Sequence, residues 1–422
     1  MSQVNIITRE QSVRVGREST FGVTPSGSFP NAMTRFIAAE PVLADGAMRA
    51  MLDVGDIRVR RMDAVTPVQG LELASKVALS QLLKATKTAD QLTTSVSAGA
   101  LTPRLLLGHC MGTEFAISGS AVAAGVSTTV FDVTATHGAR FRRGTLIAVE
   151  INGQMEWARV VSIATDTITV GPALSGTPGT GAIVRNLYNY AMAESNTSSL
   201  AVQVAYVGDS AAQYTFNGVH GNLKFNFGEF GKLVSMALDG TAVSFTGPTS
   251  QSIPVTTITD EMGAAFPLAP QVYLVAAGAP TRGTTVACEK FAVELPNQWE
   301  MVRDPAATNT VTAVVDTAGR PRGVKAMVTL RFDGDYPTGY DADTVYSLVI
   351  VQRIGTGTTA SFWIWALDNA QLVAQPKLTK VGERLYMDLE FNALQSTIFA
   401  PAGGESAGEL DALYTPLAVA FG

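Results

Sequence analysis

From residue 200 onward the chain alternates apolar and polar side chains with a period of two. Leu200, Val202, Val204 and Tyr206 alternate with Ala201, Gln203 and Ala205, and Leu223, Phe225 and Phe227 alternate with Lys224 and Asn226. The same alternation returns in Phe291, Val293 and Leu295, in Val328, Leu330 and Phe332, and in Leu385, Met387, Leu389 and Phe391. Successive strand residues point to opposite faces, so each segment predicts a strand with one buried face. Residues 346–351 (Ser347 apart) and 362–365 are apolar on both faces, which predicts strands buried on both sides or lying at an interface.

A second β-rich unit is predicted between residues 118 and 188. Two apolar runs, 146–151 and 154–163, flank Asn152-Gly153. Both turn residues tolerate positive φ, so this is a strong hairpin signal. Asp166-Thr167 turns the chain again into Ile168, Thr169 and Val170, and a Gly/Pro-rich tail, 171–181, closes the unit. The polar stretches 118–120 and 194–199 read as its linkers. A unit carried on such linkers on the outside of the molecule would be removable without harm to the rest. Helical spacing of Leu79, Leu82, Leu83 and Thr86 predicts a helix over 76–86. Thr102-Pro103 is a helix start, leading into Leu105, Leu106 and Leu107 and stopping at Gly108 or Gly112. The first 65 residues carry no sustained period. They read as an arm with short extended pieces, its apolar residues Phe21, Phe29, Phe36, Met48, Met51 and Leu52 arguing against full disorder. The expected fold is therefore mainly β: a sandwich or barrel core with one or two flanking helices, plus an inserted small β-barrel-like domain. It divides into 1–117, the inserted 118–188, and 189–422.

Composition narrows the function. Of the 422 residues, 16% are charged and 46% are hydrophobic, with a net charge of −6. So few charges leave little to solvate a free surface. Either other copies cover much of it, or it is a monomer surface of Ser, Thr, Ala and Gly. The 39 glycines and 19 prolines follow no period, as expected of turns between short strands. The acidic balance argues against a groove that grips nucleic acid, which needs Lys and Arg. Cys110 and Cys288 lack any CxxC context and read as small buried apolar residues. No secretory h-region and no apolar run of about 18 residues is present, so the expectation is synthesis in a cytoplasm and no membrane.

No catalytic, cofactor or metal site is assigned, and the chain is read as not an enzyme. His109, His137 and His220 lack a second ligand at metal-site spacing. Residues 228–232, GEFGK, brush against a phosphate loop, but Leu233 stands where Ser or Thr would hold Mg²⁺. Gly355-Thr356-Gly357 reads as a hairpin turn rather than a dinucleotide loop. Asp333, Asp335, Asp341 and Asp343 share one loop, but Pro337 interrupts it and the spacing is not that of a calcium loop. Arg58, Arg60 and Arg61 form a short basic cluster.

The order of features resembles one family. An arm carries VGRESTFGVTP at 15–25, a helix is predicted near 79–83, and a β segment ends in a glycine-containing turn at 221–231. Residues 232–240 follow, then 288–297 and a link to Gly323-Val324-Lys325. Over roughly 8–110 and 190–400 this is similar to the tail tube (major tail) proteins of long, non-contractile-tailed bacteriophages. The resemblance implies a structural virion protein of the tail, assembled in the host bacterial cytoplasm into stacked hexameric rings. DNA would pass through the lumen without specific binding. The implied partners are the chain itself, the tape-measure protein, the tail terminator and the tail-tip proteins. Residues 1–30 and 44–66 would make contacts between rings, with Phe21, Phe29, Arg58, Arg60 and Arg61 as the subunit-interface residues. Glu229, Asp388 and Glu390 are the lumen candidates. Residues 244–283 have no counterpart in the resemblance. Two other readings stay open: another virion part, such as a tail terminator or capsid decoration protein, and a carbohydrate-binding adhesin module using Trp363, Trp365 and Tyr340.

Overall fold

The computed structural model describes residues 6–23, 38–42, 75–82, 102–115, 118–194, 199–208, 212–227, 234–250, 270–276, 285–297, 299–304, 310–316, 323–332, 344–381, 383–397, 399, 403 and 405–422. Its first elements are β1 (Ile6–Arg17), β2 (Ala38–Val42), β3 (Ser75–Leu82), α1 (Thr102–Met111) and β4 (Gly112–Phe115). Six short strands follow: β5 (Ser120–Gly125), β6 (Val130–Val133), β7 (Leu146–Ile151), β8 (Gln154–Ala164), β9 (Thr167–Gly171) and β10 (Ile183–Asn186). The chain continues through β11 (Tyr188–Met192), β12 (Leu200–Gly208), β13 (Ala212–Phe227), β14 (Val234–Ala242), β15 (Ser244–Ser250) and β16 (Gln271–Ala276). Next come β17 (Thr285–Leu295), β18 (Trp299–Asp304), β19 (Thr310–Asp316), β20 (Lys325–Phe332), β21 (Val345–Ile354) and β22 (Ser361–Leu372). The last elements are β23 (Lys377–Val381), β24 (Arg384–Leu394), α2 (Ala407–Tyr414) and β25 (Ala418–Phe421). The protein is mainly β, as its period-two patterning predicts.

Antiparallel pairing organises the strands into two leaves. One runs β2–β3–β14–β13–β17–β20–β24–β23. The other runs β16–β21–β22–β25–β11–β4. Among the described residues the leaves are bonded to each other where β17 meets β16 and where β24 meets β22. The main core lies between them. Phe225, Phe291, Val293, Val328 and Phe391 from the first leaf meet Leu348, Ile350, Trp363, Trp365 and Phe421 from the second. Trp365 contacts the Phe225 and Phe291 rings at centroid distances of 5.4 and 5.0 Å. The first half of β13 belongs to a further sheet, β1–β12–β13–β15. Gly218, at φ +62°, lies where β13 passes from one set of partners to the other; a Cβ there would sit 3.0 Å from Val243.

β5 to β10 close into a six-stranded barrel. Asn152 and Gly153, at φ +50° and +74°, make the turn between β7 and β8, as the Asn-Gly pair predicts. The barrel has its own core, including Phe131, Phe141, Ile147, Val149, Val160, Ile168 and Val184. Its outer wall packs on the second leaf: Leu146, Ala148, Met155, Trp157 and Leu187 meet Tyr273, Val349, Val351, Phe362, Ile364 and Ala420. β21 and β22 are thus buried on both faces, between the main core and the barrel. This explains why residues 346–351 (Ser347 apart) and 362–365 are apolar on both faces.

Several expectations differ from the structure. Residues 76–82 of the predicted helix 76–86 belong to strand β3, Ser75–Leu82, and 83–86 lie outside the described residues. Leu79 satisfies both a helical and an alternating pattern, and pairing with β14 on one side and β2 on the other decides for the strand. The arm is not irregular at its start: β1 is a 12-residue strand paired with β12. Only Leu187 separates β10 from β11, so 194–199 follows a core strand rather than linking the barrel. α1 ends at Met111 and Gly112 takes φ +91°, the left-handed stop. α2 went unpredicted, although Ser406 and Glu409 make a capping box.

Candidate assembly surface

The outward side of β14, β13, β17, β20 and β24 forms one polar face. The alternation that buries Ala326, Val328 and Leu330 leaves Lys325, Met327 and Arg331 exposed on the other side, with Thr329, also on that side, 4% exposed. On β24 it buries Met387, Leu389 and Phe391 and leaves Tyr386, Asp388, Glu390 and Asn392 on the other side. Register places Thr329 opposite Asp388, Met327 opposite Glu390, and Lys325 opposite both Glu294 and Asn392. Lys224 lies opposite Glu294.

Charges of opposite sign therefore meet across the strands. Lys224 is ion-paired with Glu294, and Lys325 Nζ lies 3.9 Å from Glu390 Oε1. The Thr329 hydroxyl donates to Asp388 Oδ1. Both ion pairs are largely exposed, so they fix register and wetting more than stability. The two lumen candidates Asp388 and Glu390 come together on this face, but among the described residues it is mixed in sign rather than acidic. At its far edge β23 presents Leu378, 59% exposed, and β24 presents Leu385, 37% exposed. Among the described residues β23 pairs only with β24.

Phe21, expected at a subunit contact, stacks on His220 of its own chain at a centroid distance of 5.8 Å. His220 also lies 5.5 Å from the His109 ring. Burial pushes the His220 imidazole down to about 4. Glu18 fastens the same turn. It accepts from the Gly22 and Gly218 N–H groups, both at 2.8 Å, and from the Ser199 hydroxyl at 2.5 Å. Phe29, Arg58, Arg60, Arg61 and Glu229 lie outside the described residues, as do the acidic loop 333–343, the glycine turn 228–232 and Tyr340.

Trp363 and Trp365 are 1% and 0% exposed and stack in the core, so neither presents a ring to a sugar. Cys110 and Cys288 are buried and unpaired with each other. Burial pushes the Cys288 thiol up to about 12. Among the described residues no group of three His, Cys, Asp or Glu side chains could hold a metal, and no helix is long and apolar enough to cross a membrane.

A second constellation went unread in the sequence. Arg159 of β8 is ion-paired with Asp368 of β22, and the two are 8% and 5% exposed. Asp368 is the lone charge of the apolar strand β22, which was the one available signal; Arg159 shares β8 with Glu156. No protein-family model matches the chain, and no curated protein matches it.

Proposed function

We propose that this chain is the subunit of a phage tail tube: a structural virion protein that assembles into stacked hexameric rings around a DNA channel. In this reading the two leaves are the sandwich of the tube core, and the polar face of β14–β13–β17–β20–β24 lines the channel. The reading rests on one observation above the others. A wide sheet has an apolar inner side, a wetted side of alternating charge, and an edge strand, β23, that keeps Leu378 uncovered. An uncovered edge is a template for another strand, and closing several such sheets into one barrel removes the edges. Alternating charge gives a wet surface on which phosphates find no continuous basic track.

The edge is the part to test. Leu378→Glu places a charge on β23 without touching the buried side chains of the core. Light scattering coupled to size exclusion is expected to find large assemblies for the parent chain and a folded single subunit for the variant. Unchanged assembly of the variant would remove β23 from the contact.

A further inference from the structure

One side of the barrel carries three arginines, and each meets an acidic side chain from later in the chain. Arg142 Nε lies 3.5 Å from Glu409 Oε1, Arg143 Nη1 lies 3.2 Å from Glu405 Oε1, and Arg159 pairs with Asp368. The first two pairs are partly exposed and hold little by themselves. The third is different because four parts of the molecule converge on it. Arg159 Nε donates to the Gly144 carbonyl at 2.8 Å, and its guanidinium lies 4.8 Å from the Phe399 ring centroid. Asp368 Oδ2 accepts from the Ser396 hydroxyl at 2.6 Å.

α2 backs this junction. A Cβ on Gly144 would lie 2.9 Å from the Ala412 carbonyl oxygen, so the barrel turn sits directly against the helix. Asp411 and Thr415 tie the helix region to the core, through the Thr113 hydroxyl at 2.6 Å and the Met192 N–H at 3.0 Å. A cavity of about 50 Å³, lined in part by Trp157, Val161, Val349, Ala366 and Phe399, adjoins the pair. Arg159 Nη2 is buried there without a hydrogen-bond partner among the described residues.

We infer that Arg159 and Asp368 form a lock, and that Ser396, Phe399, Glu405 and α2 are a strap closing over it to fix the barrel in one orientation on the core. The apolar dock beneath makes the two surfaces adhere, but apolar contact is non-directional. A buried charge pair is satisfied at one register only, and removing one partner strands the other. The barrel is thereby a rigid part of the subunit and not a tethered ornament. This inference does not depend on the tube reading.

Peptide-resolved hydrogen exchange on the full chain tests it. The junction reporters are the Leu146, Leu187 and Gly357 amides, which bond across or beside the dock. The barrel reporters are the Val122, Val133 and Val170 amides, bonded within the barrel. Asp368→Asn and Arg159→Lys are each expected to speed exchange at the junction by about tenfold, leaving the barrel reporters unchanged. Arg142→Ala with Arg143→Ala is expected to change the junction by less than about threefold. Three results would overturn the lock: an unchanged junction in both lock variants, an equal rise throughout barrel and core, or an equal effect from the surface pairs. Should Asp368→Asn not fold, Arg159→Lys decides alone, because it keeps a charge beside Asp368 while losing the fork geometry that reaches Gly144.

Discussion

Glu18 Oε1 accepts a hydrogen bond from the Gly218 backbone N–H at 2.8 Å, joining residues 200 apart in sequence. The same carboxylate takes the Gly22 N–H and the Ser199 hydroxyl, so one side chain holds the end of β1 to the bend of β13. Glu18 is 8% exposed, and its loss would leave two backbone donors without their acceptor. Glu18→Ala is expected to lower unfolding stability by roughly 2–3 kcal/mol, read as a lower urea midpoint at unchanged slope. A variant within about 0.5 kcal/mol of the parent would show that water replaces the carboxylate at no cost.

The burial of the histidine under Phe21 sets the sign of a pH dependence expected of the protein's stability. Burial holds His220 at about 4 in the folded state, against about 6.5 in the unfolded chain. Between these values the unfolded chain binds a proton that the native state refuses. The stability is therefore full above about pH 6.5 and is lost as pH falls toward 4, reaching about 3 kcal/mol in all. Between pH 7 and pH 5 the share of His220 is about 2 kcal/mol. His220→Gln is expected to remove that part of the slope in urea unfolding at the two pH values. Parallel slopes in the two proteins would contradict it.

The polar face should resist DNA only while its acids remain. In the tube reading, Asp388→Lys with Glu390→Lys turns two positions opposite Thr329 and Met327 basic. Assembled variant is expected to retain double-stranded DNA at low salt where the parent does not. The salt dependence should steepen by up to about 0.9 in log–log slope for each phosphate newly contacted. Equal retention by both would place these residues away from the channel.

Excising the barrel should not be harmless. Its removal over 120–186 uncovers Val349, Val351, Phe362, Ile364, Ala366 and Ala420, which form one apolar patch on the second leaf. Such a patch exposed on a monomer is an association site. The excised chain is expected to bind a hydrophobic dye and to precipitate. A soluble, dye-silent product would show that the dock is dispensable.

How much of this was written in the sequence depends on the range of the interaction. The strands at Leu223, Phe291, Val328 and Leu389 were legible because alternation is a local consequence of one buried face. The turn at Asn152-Gly153 was legible because it needs positive φ at both residues. β3 was misread because Leu79 fits a helical and an alternating pattern alike, and partners far along the chain chose between them. β1 was missed because its apolar face is short, Val13 and Val15, and its stability comes from β12. At the candidate face, Asp388 and Glu390 were found from their place in an alternating strand, but the bases Lys224 and Lys325 beside them come from other strands. Arg159 and Asp368 meet across 209 residues, and no spacing rule reaches that far.

Self-assembly into a hollow tube is open to direct inspection by electron microscopy of the purified full-length protein. Rings of six-fold symmetry and stacked hollow tubes are expected, formed by the chain alone at high concentration or on addition of a tail-tip complex. Rings that never stack would point instead to a terminator-like part of the virion. Single subunits under both conditions would show that the chain is not a tube subunit.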